Sequence, residues 1–314
     1  MRRDVWWMQP MAGALILGVL LWRVGSGPFL DALHRVDGWS LAAATGLAAL
    51  TTVCCAWRWS LVARGLGIAL PLRAAVAECY RSQFLNVTLP GGVLGDVHRG
   101  IRHGRDNGDL GRGLRSVVWE RSAGQVVLVV VALGALAWLP SPLRPLLQVV
   151  GLLGAGLVLV TVLALILVLV MAGPALTGRR RSGGAVARMT RTAVSDVRAG
   201  VLARHTVLGV VTLSGLALAG NVATFVIAAH SAGAGASPAQ LLPLGLVVLL
   251  AMGLPLNLAG WGPREGAAAW VFGAAGLGVD RGVSVAVVYG VMVLVASLPG
   301  AGLMLVARLG RRDA

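Results

Sequence analysis

Lysine is absent from this 314-residue chain, and all 27 of its basic residues are arginine. That restriction reflects genome base composition more than mechanism. Acid is scarce as well: Asp and Glu together number 12, charged residues make up 12% of the chain and hydrophobic residues 57%, with mean hydropathy +0.82. So little charge excludes an ordinary soluble domain and fits a polytopic helical membrane protein. No aromatic-rich basic module accompanies the arginines. The net charge of +15 therefore points to cytoplasmic loops that fix topology rather than to nucleic acid. The three cysteines, Cys54, Cys55 and Cys79, offer neither a disulfide framework nor metal-ligand spacing. His98 and His103 are five apart, unlike the i, i+4 zinc pair. No nucleophile elbow, P-loop or dinucleotide fingerprint occurs. A carboxylate pair for acid–base work, Asp96 with Glu265 or Glu120, would depend on proximity. The expectation is a non-enzyme without cofactor or metal.

What the chain does have is long apolar runs. A span needs about 20 apolar residues, and six runs qualify: 5–22, 38–57, 122–139, 146–172, 206–229 and 282–307. The first has a basic flank but no small-residue cleavage site, so it reads as a span and not as a signal peptide. A short helix is expected over 72–89, and the basic, glycine-rich stretch 99–115 is expected to face solvent. A basic loop covers 179–204.

Two stretches break the pattern. Residues 81–102, RSQFLNVTLPGGVLGDVHRGIR, and residues 253–266, GLPLNLAGWGPREG, lie among apolar runs, yet each carries proline, asparagine, spaced glycines and charge. Pro90, Pro255 and Pro263 cannot sit inside an unbroken helix. Irregular backbone at membrane depth survives only where protein or a wet cavity satisfies it. Each motif therefore reads as a re-entrant hairpin. With both termini cytoplasmic, 22 of the 27 arginines then fall on the cytoplasmic side and four (Arg23, Arg35, Arg144, Arg281) outside, as the positive-inside rule expects. The hairpins enter from opposite sides, which is the mark of an inverted repeat with a site near the midplane.

The candidate site follows from these motifs. Arg99 and Arg264 are candidates to hold a phosphate, because a guanidinium forks onto its oxygens. Gly91, Gly92, Gly95 and Gly260 would shape the turns and offer backbone N–H groups to an anion. Asp96 and Glu265 would balance the arginines or contact an amine. Glu120 would neutralise a motif arginine from a neighbouring helix, or sit at the interface with Trp119 and Arg121. Asn86 and Asn257 would bond headgroup oxygens or satisfy backbone freed by the breaks. For Arg81 a surface-facing position is the default.

The run from Asn86 to Arg99, NVTLPGGVLGDVHR, the following Glu120–Arg121 pair and the late LPLNLAGWGPREG of 254–266 resemble the transmembrane domain of lysylphosphatidylglycerol synthase/flippase proteins, a bacterial and archaeal family. The order and spacing match over nearly the whole chain, with departures at Trp261 and Pro263. The resemblance implies a membrane domain that moves an aminoacylated phospholipid between leaflets. In the family the lipid itself is made by a separate cytoplasmic domain; the resemblance implies the flippase-like half and gives no support for the synthase half. Other relatives serve polyprenyl-linked glycan pathways, so the resemblance does not fix the substrate.

The expected protein is a single all-α membrane domain of the cytoplasmic membrane, with six spans and two re-entrant hairpins. Its first half covers 5–139 and its second 146–307. It would translocate a phospholipid or a polyprenyl-phosphate-linked headgroup through a polar cavity between the motifs. Two other readings stay open: a non-transporting accessory of envelope lipid or glycan synthesis, and a membrane-embedded transferase. Expected partners are membrane lipids and a separate synthase or glycosyltransferase.

Overall fold

The computed structural model describes residue 22, residues 36–89, 92–138, 151, 192–253 and 262–309. These residues are helical with short connections and contain no strand. Apart from residues 22 and 151, the expected spans 5–22 and 146–172 lie outside them, as does most of the loop 179–204. Among the described residues, four helices are long and apolar enough to cross a membrane. They are α1 (Gly38–Gly65), α4 (Leu110–Trp138), α5 (Arg204–Ser231) and α8 (Val279–Leu309). Between α1 and α4 stand two short helices, α2 (Leu72–Thr88) and α3 (Leu94–Asp106). Between α5 and α8 stand two more, α6 (Pro238–Met252) and α7 (Pro263–Ala274). The order long, short, short, long thus occurs twice.

Local chemistry explains these boundaries. Asp37 caps α1 by accepting from the Ser40 N–H at 3.0 Å. Ser237 and Gln240 form a capping box at the start of α6, with Pro238 already in the first turn. Pro263 opens α7 directly after Gly262, whose φ of 114° an L side chain rarely adopts. Two long helices differ from the sequence reading. α1 continues eight residues past Trp57, and α4 begins twelve residues before Ser122. Charge had marked both limits, but inside the bundle Arg58 pairs with Glu120, so neither charge ends its helix.

The long helices pack in register. Ser231 Oγ donates to Ser40 Oγ at 3.0 Å, Gly220 lies against Thr51, Arg58 Nη1 donates to Ser214 Oγ at 2.9 Å, and Gly209 lies against Leu61. One set of numbers rises as the other falls, so α1 and α5 run antiparallel. α1 and α4 are antiparallel too: Arg58 meets Glu120, and Trp59 Nε1 donates to Ser116 Oγ at 2.9 Å. The end of α1 and the starts of α4 and α5 therefore share one end of the bundle.

The main core surrounds α6. Leu241, Leu244, Leu246, Val247 and Val248 are buried with Phe225 of α5, Phe272 of α7 and the Val283–Met292 stretch of α8. A helix buried on all sides is central to its bundle. Elsewhere small residues permit close crossings. A Cβ on Gly113 of α4 would sit 2.4 Å from the Gly104 Cα of α3, and one on Gly300 of α8 would sit 2.2 Å from the Tyr80 carbonyl oxygen of α2. The stretch 99–115, expected to face solvent, is exposed only in part: residues 105–108 and 112 are exposed, whereas Gly100, Gly104 and Gly113 form the contact between α3 and α4, and Arg99 and His103 are buried beside it.

Gly113→Ala should accordingly force α3 off α4 and cost about 1–3 kcal/mol. Gly134→Ala, where a Cβ meets nothing within 4 Å, should be neutral or gain up to about 1 kcal/mol. Thermal unfolding of the two variants in detergent would compare them directly.

Candidate functional site

Five charged side chains from three helices meet one to three turns inside the end where α1 finishes and α4 begins. Glu120 of α4, 1% exposed, takes Arg58 of α1 on Oε1 and Arg99 of α3 on Oε2, the latter at 2.7 Å. Arg99 also donates through Nε to Asp96 Oδ1 at 3.0 Å. Asp96 in turn receives Arg121 at 2.7 Å, Ser82 at 3.0 Å and Asn86 at 3.1 Å. Three guanidiniums face two carboxylates, so the cluster carries one excess positive charge. Arg58 lies seven residues before the end of α1 and Glu120 ten after the start of α4. At 1.5 Å per residue the cluster sits about 10–15 Å below the helix ends.

Aromatic and small side chains seal its flank. The Arg99 guanidinium lies 4.7 Å from the Trp59 ring centroid, and the His103 ring meets the same indole edge-on at 5.4 Å. A cation over an indole face is held by the ring quadrupole. Arg99 Nη1 points at the Cys79 thiol, 3.6 Å away. Gly124 leaves room for Arg58, because a Cβ there would come within 2.9 Å of its guanidinium.

The first motif supplies its residues through an unusual cap. No side chain of its own N-cap residue, Val93, closes α3. Asn86 reaches across from α2, and its Oδ1 accepts from the Gly95 N–H at 2.8 Å. Asn86 therefore satisfies freed backbone, the second of its two expected roles, and also braces Asp96. Gly95 does not offer its N–H to an anion; it lets α3 touch α2, since a Cβ would fall 2.1 Å from the Ser82 carbonyl oxygen. Gly92, at φ 62°, makes the turn into α3. Pro90 and Gly91 lie outside the described residues.

The second motif holds a smaller cluster. Arg264 donates through Nε to Glu265 Oε1 at 2.8 Å, and Glu265 Oε2 accepts from the Gly262 N–H at 2.6 Å, which completes a cap on α7. Both side chains are buried, 4% and 0% exposed. Arg264 fits against α8 where Gly290 has no Cβ, and its guanidinium stands 6.0 Å from the Tyr289 ring centroid. Asp96 and Glu265 hold matching places, each the third residue of the helix that follows its break. Pro255, Asn257 and Gly260 lie outside the described residues.

Arg81, expected at the surface, is largely buried in an ion pair with Glu78, which Arg102 also approaches at 3.3 Å. The sequence reading passed over Arg58, Ser82 and Ser214, and it weighed Arg121 only as an interface residue. One signal for Arg58 was available: it stands between Trp57 and Trp59, directly after an apolar run.

A bundle of apolar helices with a charged, capped break in each half defines a polytopic membrane protein with a buried polar centre. The family model described as lysylphosphatidylglycerol synthase TM region matches residues 6–300, and the chain belongs to that family. Neither a curated protein nor a solved structure matches it.

Glu120→Gln would leave Arg58 and Arg99 buried around a neutral amide. It should cost about 3–5 kcal/mol, read as thermal unfolding in detergent.

Proposed function

We propose that this chain is a lipid translocase, in which a lipid headgroup carrying a phosphate crosses the bilayer along the polar centre while its tails stay in the hydrocarbon. The observation that carries this reading is the excess positive charge of the Arg58–Glu120–Arg99–Asp96–Arg121 cluster. Charge at such depth is costly and marks function unless it is fully paired. Arg121 is the member a ligand can reach, its side chain being 43% exposed. A phosphate oxygen would share the Arg121 guanidinium with Asp96, and Asp96 would take it back when the headgroup leaves.

The architecture proposed with it is two inverted halves. α2–α3 and α6–α7 would be re-entrant hairpins, and with the runs 5–22 and 146–172 the spans would number six. The antiparallel α1 and α5, the repeated helix order and the matched positions of Asp96 and Glu265 support the inversion. Inverted halves give a transporter two equivalent states that open to opposite sides. The cytoplasmic membrane and cytoplasmic termini belong to the same reading.

Leaflet exchange in liposomes tests it. Purified protein should accelerate exchange of labelled phosphatidylglycerol, phosphatidylethanolamine or lysyl-phosphatidylglycerol, and the fastest names the headgroup class. Arg121→Gln should slow exchange about tenfold or more, the worth of one charge-assisted hydrogen bond. It should still fold, because that guanidinium is partly solvated. Exchange that persists in Arg121→Gln would move the path elsewhere. A wild type inert toward all three lipids would favour an accessory of a synthase or glycosyltransferase.

A further inference from the structure

Among the described residues, one face of α4 carries three buried polar atoms without a hydrogen-bond partner: Arg121 Nε, Ser122 Oγ and Gln125 Oε1. Ser122 is only 9% exposed. A residue advances about 100° around a helix, so positions 121, 125 and 122 fall within an arc of about 100°. Buried polar groups are nearly always paired, and leaving three on one face is costly. The pattern fits a buried face whose hydrogen-bond partner is a ligand.

The surface also lies at the right depth. Ser122 and Gln125 stand 12 and 15 residues from the start of α4, about 18–22 Å from that end. α3 has 13 residues and begins about 20 Å from the same end. α6, which starts at the opposite end just after α5, has 15 residues and stops after about 22 Å, level with Gln125. The same face of α4 continues into Leu128 and Val129, which pack into the core around α6. Both breaks thus converge on the height of the three orphaned atoms. Asp96 holds Arg121 through Nη2, which restrains the guanidinium and leaves its Nε–H without a partner among the described residues.

We propose that Arg121, Ser122 and Gln125 are the residues that read the headgroup. They would take a phosphodiester whose neighbouring substituent carries a hydroxyl or ammonium donor. Arg121 Nε and the Ser122 hydroxyl donate to two phosphate oxygens, and the Gln125 amide oxygen accepts from the substituent. This rests on the translocase reading for its ligand but concerns binding alone.

The test uses the purified full chain in detergent. Its melting is followed alone, with dioleoylphosphatidylglycerol in mixed micelles, and with inorganic phosphate, for wild type, Ser122→Ala and Gln125→Leu. Without lipid both variants should melt at or above the wild type, because each removes an unpartnered polar atom. The rise in Tm that the lipid gives the wild type should be mostly lost in both. Variants that melt well below the wild type would show that these atoms are paired in the fold, and would overturn the proposal. So would variants that keep the full lipid-induced rise. Inorganic phosphate that reproduced the whole rise would overturn the headgroup assignment in favour of a free-phosphate site. A wild type that binds the lipid but does not exchange it would sink the translocase reading and leave this site standing.

Discussion

Glu120 is the constraint on which the rest of the first half depends. A lone carboxylate among apolar helices cannot stay charged without cations, and here it has two, brought from α1 and α3. Each cation is then tied further. Arg58 reaches Ser214 on α5, and Arg99 reaches Asp96, which ties back to α2 through Ser82 and Asn86. Five helices are thereby fixed by one connected set of charges. Apolar packing is permissive about rotation and register in a lipid environment, where hydrocarbon is as good a neighbour as leucine. Buried ion pairs are not, because a slip of one turn strands a charge. The cluster sets the register of the bundle as well as offering charge to a ligand.

The helix α8 connects this arrangement to the second half. It accepts Arg264 at Gly290 and α2 at Gly300, ten residues or about 15 Å further on. One residue before Gly300 stands Pro299, a position where a helix bends readily. A single helix that touches both short-helix pairs through glycines allows each to approach as closely as its backbone permits. It also makes their positions interdependent, since neither can tilt without moving the helix against which the other rests.

Much of this was legible in the sequence, for reasons visible in single residues. The four long helices show as apolar runs, because hydrocarbon demands about 20 such residues whatever the fold. The breaks show as proline and glycine gathered with asparagine and charge in one short stretch, a combination that an unbroken apolar helix does not carry. Asp96 with Arg99, and Arg264 with Glu265, stand out because charge in such surroundings needs a partner, and proximity in sequence supplied it. The pairing of Arg58 with Glu120 spans 62 positions, and nothing local announces it. Arg58 reads as the end of a span, as any arginine after an apolar run would. The burial of Arg99, His103 and Gly113 within stretch 99–115 is hidden for a related reason. Its glycines read as loop, whereas Gly100, Gly104 and Gly113 are there to let two helices touch. Glycine carries the same letter for freedom and for closeness, and only the neighbouring helix distinguishes them.

The two short-helix pairs are built to one plan but are not equally charged. α2 and α3 together carry Arg73, Arg81, Arg99, Arg102 and Arg105, whereas α6 and α7 carry Arg264 alone. On the proposed inverted reading they open to opposite faces of the bilayer, where opposite electrical conditions prevail. Duplicated architecture would then have been free to keep its shape but not its composition. The surplus arginine of one copy would be an imprint of the membrane's polarity, and exchanging the two hairpins between halves would reverse the signals by which the whole chain chooses its orientation during insertion.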